Sequence, residues 1–161
     1  DFLADAGWRD RIGALRRYGW SFDAQIYWHQ MDSLASLAAR HDSITFIVDH
    51  AGMPVERDRD GLAGWRKGLR TLAACPNVVI KLSGYGMADI GWTVDRLKPY
   101  VIEPIECFGA ERAMFASNFP VDRLMSGYAR LWRSYDALTR GASNAERTAL
   151  FCGTARRVYR L

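Results

Sequence analysis

One unit recurs along this sequence: a short apolar run, a polar loop and an amphipathic helical segment, repeating roughly every 30 to 35 residues. The apolar runs occupy residues 21–29, 44–48, 78–84 and 113–120, and most are rich in β-branched or aromatic side chains. Strands that alternate with helices form parallel sheets. The sequence therefore predicts an α/β fold with about four parallel strands, each followed by a helix.

Polar side chains stand where these runs end. Asp49 and His50 close the second run, Lys81 and Ser83 share one face of the third, and Asn118 ends the fourth. In parallel α/β folds, chemistry takes place outside the carboxyl ends of the strands. His50 therefore stands at a catalytic position, although a histidine that caps a strand by bonding a backbone carbonyl would give the same pattern.

Composition narrows the class of protein. With 161 residues, 49% hydrophobic and 25% charged, the chain suits one globular domain spanning residues 1–161. The net charge is +4, and the basic residues are dispersed over predicted helix faces, which argues against nucleic-acid binding. Three widely spaced cysteines indicate reduced thiols in a cytoplasmic protein, and we expect no membrane span and no signal peptide. Because Asp1 leads directly into a helical segment, we expect a truncated or processed chain.

The sequence also predicts where the helical segments begin and end. Apolar spacing predicts helices at about residues 7–18, ending at Gly19, and at residues 32–40, 62–72 and 131–138. A helical region at about residues 92–108 should be broken or kinked by Pro99 and Pro104. Ser143 and Glu146 form a capping box, and Gly153 is a plausible stop.

Two architectures fit a parallel βα rhythm, an open doubly wound sheet and a (β/α)8 barrel. The length favours the open sheet, since a complete barrel needs roughly 250 residues. The absence of a Gly-rich phosphate loop and the convergence of polar strand ends favour a barrel mouth. We therefore interpret the chain as the C-terminal half of a (β/α)8 TIM barrel.

Four stretches, at residues 21–30, 48–54, 79–84 and 111–122, together resemble the amidohydrolase-2 family of the amidohydrolase superfamily, in particular its lactonase-like branch. The resemblance implies that they are strands five to eight of the barrel. It also implies a His-x-His pair on the first strand, which this chain lacks, since its histidines are His29, His41 and His50.

The same resemblance implies a role for several residues. His50 would bind a divalent metal such as zinc or manganese, or would polarise a substrate carbonyl in a metal-independent enzyme. His29 would be a second metal ligand. Gln25 and Tyr27 would contact substrate on the polar face of the first strand.

Asn118 departs from the family pattern, which commonly has Asp there. Asn cannot act as a general base, but its amide can ligate or donate to an oxyanion. Asp122 would supply a catalytic carboxylate or cap the next helix. Lys81 would attract an anionic substrate group if it faces inward, next to Ser83. If the strand is regular, Asp49 should face away from His50.

The function implied by the resemblance is hydrolysis of a lactone or related cyclic ester, with His50, Asn118 and Asp122 as catalytic residues. A decarboxylase of the same superfamily is one alternative. The other is an inactive half-barrel that pairs with its missing half or with a second copy through unclosed sheet edges. The expected partner is a small, carboxylated or lactone substrate.

Overall fold

The computed structural model describes residues 2–161, so that Asp1 lies outside the described residues. Residues 2–161 contain one sheet of four parallel strands in the order β1-β2-β3-β4: Phe22–Ala24, Phe46–Val48, Val78–Leu82 and Ala113–Phe115. Every neighbouring pair in the sheet is also a neighbouring pair along the chain, joined by a helical crossover. This is the repeating arrangement of a (β/α)8 barrel, and it confirms the predicted fold class.

Helices account for most of the remaining described residues. The α-helices are α1 to α8: Ala6–Arg11, Met31–Arg40, Arg59–Ala73, Tyr85–Ala88, Val94–Phe108, Tyr128–Leu138, Asn144–Thr148 and Thr154–Tyr159. A 3₁₀ segment, Ile12–Tyr18, extends α1 and ends at Gly19, whose φ of 60° is left-handed as predicted. Among residues 2–161, no helix is both long and apolar enough to cross a lipid bilayer.

The prediction that Pro99 and Pro104 break the helical region was wrong, because α5 runs through both prolines; a kink at either one stays a prediction. Pro104 has no N–H for the carbonyl of Tyr100, one turn earlier. The hydroxyl of Tyr85 donates to that carbonyl at 3.0 Å and replaces the missing bond. The carbonyl that Pro99 leaves without a donor belongs to Asp95, which is exposed to solvent.

The chain stays helical near its C-terminus. The capping box is confirmed: the Ser143 hydroxyl accepts from the backbone N–H of Glu146, and the Glu146 carboxylate accepts from the Ser143 N–H at 2.8 Å. The prediction that Gly153 stops this helix was wrong. A π-helical turn at Ala149–Gly153 connects α7 to α8, and Gly153 itself has a helical φ of −61°.

The two faces of the sheet have different partners. One face packs against α2, α3, α5 and α6 in the main core, to which Trp65, Leu69, Tyr100 and Tyr135 contribute buried side chains. The other face carries a smaller apolar cluster of Ile47, Val79 and Met114, covered by Val158 of α8. We call this second face the inner face, because it would face the axis of a closed barrel.

Two polar side chains join elements at the amino ends of the strands. Asn77 Nδ2 donates to the carbonyls of Ala38, His41 and Ile44, at 3.0, 3.2 and 2.9 Å. The Arg112 guanidinium donates to the carbonyls of Ala73 and Cys75, at 2.9 and 3.0 Å. These bonds satisfy carbonyl groups at and beyond the C-terminal ends of α2 and α3.

Candidate active site

His50 lies on a left-handed turn immediately after β2. His50, Ala51 and Met53 have φ values of 54°, 53° and 50°, which are unusual for residues with a Cβ. A hydrogen bond from the helix packed against the sheet stabilises the turn: the indole N–H of Trp65 in α3 donates to the carbonyl of Ala51 at 2.8 Å. A glycine is required at position 52, between Ala51 and Met53, because a Cβ there would collide with the side chain of Met31.

The imidazole of His50 is bonded to the next strand. Its Nδ1 lies 2.9 Å from the hydroxyl oxygen of Ser83, which follows β3 and is 1% exposed. Burial lowers the pKa of His50 below its ordinary value and Lys81 lowers it further, against the opposing charges of Asp49 and Asp122. The ring is therefore neutral at pH 7, with one nitrogen already engaged and the other available to a ligand.

The expectation that Asp49 faces away from His50 was wrong. Asp49 forms an ion pair with Lys81, and His50 bonds Ser83, which alternates onto the same face of β3 as Lys81. The left-handed backbone at His50 breaks the strand alternation, so both side chains reach the inner face.

Lys81 lies on the inner face between two carboxylates. Its Nζ is 2.6 Å from Asp49 Oδ1 and 2.6 Å from Asp23 Oδ1 on β1. Burial alone would lower the pKa of Lys81, but the two aspartates outweigh it and raise the pKa above its ordinary value. The hydroxyl of Tyr159 in α8 donates to the same oxygen of Asp23 at 2.7 Å, and burial together with this bond raises the pKa of Tyr159 to about 12.

Asn118 and Asp122 form a polar corner beyond β4. Asn118 has a left-handed φ of 54°, and its amide donates to Asp122 Oδ1 at 3.0 Å. Asp122 lies in a 3₁₀ turn, is 2% exposed and also accepts from the backbone N–H of Gly86. It does not cap α6, which begins after Gly127. Burial raises the pKa of Asp122, although the bonds from Asn118 and Gly86 and the nearby His50 oppose the shift.

The predicted residues from the first strand are more exposed. β1 ends at Ala24, so Gln25 lies just beyond it; Tyr27 precedes a 3₁₀ turn at Trp28–Gln30, and His29 lies within that turn. The rings of Tyr27 and His29 stack with centroids 5.8 Å apart. Their contact with a substrate or a metal stays a prediction.

The side chains around His50 decide whether a metal ion fits there. The part of the chain that the structure describes brings together no group of three or more His, Cys, Asp or Glu side chains able to hold a metal ion. His50 has Ser83 on one nitrogen, and its nearest acidic neighbours are held by Lys81 and Asn118. The described residues therefore do not form a metal centre by themselves.

A small recess adjoins His50. It lies between the loop after β2 and the loop after β3 and is lined mainly by apolar side chains, among them Met53, Val55, Met87 and Ala88. Arg57 joins the same two loops through an ion pair with Asp89 at 3.2 Å. Its cavity volume of about 10 Å³ is enough for about one water molecule, so a substrate would have to bind over His50 from the open side of the sheet.

Sequence reasoning missed several residues that shape this site. Trp65 was interpreted only as a core residue by its helical spacing, and Tyr159 only as part of a terminal helix. Asp23 was placed on the polar face of the first strand without a partner. The signal for the Asp23–Lys81 pair was present only in part: alternation places both on polar faces of their runs, but β2 lies between β1 and β3 in the sheet.

Comparison with known proteins agrees with this architecture. A family model for amidohydrolases matches residues 1–161, and the chain belongs to that family. It is 44% identical over 154 residues to an uncharacterized protein of Sinorhizobium fredii, covering 96% of this chain and 52% of that protein. It is 33% identical over 172 residues to the L-fucono-1,5-lactonase of Burkholderia multivorans, covering 99% of this chain and 58% of the relative.

A solved structure is also similar. The crystal structure of an amidohydrolase from Burkholderia multivorans with bound zinc superimposes with a TM-score of 0.91 at 33% identity, covering 99% of this chain and 59% of that one. The chain thus spans little more than half the length of the relatives that it matches.

Proposed function

We propose that this protein acts as a lactone hydrolase in which His50 polarises the carbonyl of a cyclic ester. One observation carries the proposal: His50 is half-buried and neutral, projects from the carboxyl end of the sheet, and has Nδ1 engaged by Ser83. In the tautomer whose Nδ1 accepts the Ser83 hydroxyl proton, Nε2 carries the hydrogen. That N–H can donate to a carbonyl oxygen and stabilise the oxyanion that forms on it.

The reaction needs one water molecule. Water adds to the carbonyl carbon, the ring C–O bond breaks, and the proton released by water ends on the former ring oxygen, giving a hydroxy acid. Asn118 retains a carbonyl oxygen with which it can orient the water. Asp122, whose pKa is raised by burial, is the proposed proton acceptor.

The names of the relatives support this reaction class. Two of them, 33% and 30% identical, are called L-fucono-1,5-lactonase. Because this chain spans 58% of each, activity is assayed both for the chain alone and after co-expression with the part of the Burkholderia multivorans lactonase that it does not match. Lactone opening is followed by acid release.

The decisive variant is His50→Gln, with His41→Gln as its matched control. His41 Nε2 lies 2.8 Å from the carbonyl of Arg9, remote from the strand ends that carry Ser83. We expect His50→Gln to reduce kcat/KM by about 100-fold or more, the usual effect of removing an oxyanion donor, and His41→Gln to leave it nearly unchanged. Equal lactone turnover by His50→Gln and the parent protein would remove the proposal.

Asp122→Asn separates two roles for the buried carboxylate. If Asp122 is the proton acceptor, Asp122→Asn should lower kcat by orders of magnitude. If it only positions Asn118 and the Gly86 loop, the amide preserves most of the bonding and kcat changes by less than about tenfold.

A second candidate follows from the length of the chain. The sheet of residues 2–161 leaves the outer edges of β1 and β4 unpaired, and the relatives are nearly twice as long. Unpaired edges favour association. In this alternative the chain alone forms an inactive oligomer, which light scattering and the acid-release assay detect together. Release of carbon dioxide instead of acid would indicate the decarboxylase.

A further inference from the structure

The charges on the inner face bear on which lactones the site would accept. Lys81, Asp23 and Asp49 form one cluster in which a single ammonium lies 2.6 Å from an oxygen of each carboxylate. Lys81 is 22% and Asp49 15% exposed, so both are largely withdrawn from solvent. The cluster as a whole carries a charge of −1, because two carboxylates face one ammonium.

The cluster lies close to the proposed reaction centre. Asp49 directly precedes His50, and Lys81 is two residues before Ser83, a separation of roughly 7 Å along a strand. The charges of Asp49 and Lys81 both act on His50. A substrate carbonyl seated at His50 is therefore within about one Debye length, roughly 8 Å, of these charges.

The cluster is also fixed in place. Asp49 donates its backbone N–H to the carbonyl of Ala24 at 3.0 Å, which ties it to β1. Tyr159 of α8 holds Asp23 from the other side, and Lys81 Nζ lies 5.8 Å from the centre of the Tyr159 ring. Lys81 cannot turn towards a new anion without leaving two carboxylates unpaired, which is unfavourable in a partly buried place.

We propose that the inner face selects neutral, hydroxylated lactones and disfavours carboxylated ones, because Asp23 and Asp49 already balance Lys81. Substrate hydroxyls can donate to the outer oxygens of these carboxylates, whereas a substrate carboxylate meets net negative charge. This specificity rests on the proposed lactone hydrolysis at His50. It replaces the prediction that Lys81 attracts an anionic group.

The test compares an aldonolactone with the aldarolactone of the same ring, which differs by a carboxylate. We expect kcat/KM for the neutral lactone to be higher by about tenfold or more at low salt, and the difference to shrink as salt screens the charges. A carboxylated lactone hydrolysed as fast as the neutral one, or faster, would overturn the proposal.

Two variants assign the preference to this cluster. Asp23→Asn removes one negative charge while its amide oxygen still accepts from Lys81 and Tyr159, so the preference should fall by about tenfold. Asp42→Asn makes the same charge change at an exposed turn at the opposite end of the sheet, and the preference should persist. A preference that responds equally to both variants reflects net charge alone and contradicts the proposal.

Lys81→Met tests the opposite assignment. Without the ammonium the face becomes more negative, so the preference for the neutral lactone should increase. If Lys81 instead binds a substrate anion, the parent protein favours the carboxylated lactone and this variant abolishes that advantage.

A binding measurement tests the specificity independently of catalysis. The lactam analogues of the two lactones resist hydrolysis, and saturation-transfer NMR measures their binding directly. If neither lactone is opened, the proposed reaction fails, and the lactams still decide the specificity. Stronger binding of the neutral lactam supports the proposal, and equal or stronger binding of the carboxylated lactam overturns it.

Discussion

The hydrogen bond from Trp65 to Ala51 should be one of the most valuable single contacts of the candidate site. Trp65 is fully buried, and its indole N–H lies 2.8 Å from a carbonyl on the turn that presents His50. Trp65→Phe leaves that carbonyl buried without a donor, which costs about 1 to 3 kcal/mol. The ring atoms removed add on the order of 1 kcal/mol. The total loss is therefore about 2 to 4 kcal/mol.

Trp132 offers a matched control. Its indole nitrogen is buried and has no hydrogen-bond partner among the described residues, although its ring, like that of Trp65, contacts neighbouring aromatic rings, here those of Tyr135 and Phe151. Trp132→Phe removes the same atoms but also removes an unpaired N–H, so we expect a loss of about 1 kcal/mol or less.

Urea unfolding followed by far-UV circular dichroism measures both variants without relying on tryptophan fluorescence. With a slope of about 2 kcal/mol/M, Trp65→Phe should lower the midpoint by about 1 to 2 M. Hydrogen exchange should also accelerate at the Gly52 and Met53 amides, which bond to Asp49 and His50 within the turn. Equal losses for the two variants, or unchanged exchange at the turn, would refute the assigned role of the bond.

Three further outcomes follow from the structure. Gly84→Ala should cost about 2 kcal/mol more than Gly19→Ala in urea unfolding: both glycines are left-handed, but a Cβ at Gly84 would lie 2.7 Å from His50 Cγ, whereas Gly19 meets only a flexible arginine end at 3.3 Å. Equal losses would contradict the close packing. Ser143→Ala should remove about 1 kcal/mol with the capping box, measured in the same way, and an unchanged midpoint would show that the cap does not matter. Because burial lowers the pKa of His50 below 6.5, the folded state binds fewer protons than the unfolded state there; in metal-free buffer the free energy of unfolding should therefore fall as pH drops below 6.5. Proton NMR titration of the histidine rings checks this, and a pKa above 6.5 for His50 would contradict it.

The parts of the fold that depend on local pattern could be predicted from the sequence. Alternation in residues 21–29 and apolar runs elsewhere located all four strands, and apolar spacing located the main helices. Strand lengths were overestimated: β1 ends at Ala24 and β4 at Phe115, although the predicted runs extended to residues 29 and 120. Left-handed φ values in non-glycine residues have no reliable sequence signal, since tertiary contacts such as that of Trp65 impose them.

Proline and glycine misled for a related reason. Pro104 is tolerated in α5 because Tyr85, 19 residues earlier along the chain, supplies the missing donor. Gly153 continues a helix because its neighbours pack against β4. In both cases a contact distant in sequence outweighs a local preference. For the site, the sequence located His50, Ser83, Lys81 and Asn118 at strand ends, but the pairing of Lys81 with two aspartates required three strands in register.

The bonds of Asn77 and Arg112 make the stability of the fold depend on side chains at the rim of the sheet opposite His50. One amide nitrogen of Asn77 serves three carbonyl oxygens. Deamidation of Asn77 would replace that donor with a carboxylate facing the same three oxygens. This deamidation would shorten the lifetime of the folded protein while leaving every residue of the candidate site chemically unchanged. The bonds of Asn77 and the residues of the candidate site thus lie at opposite rims of the sheet.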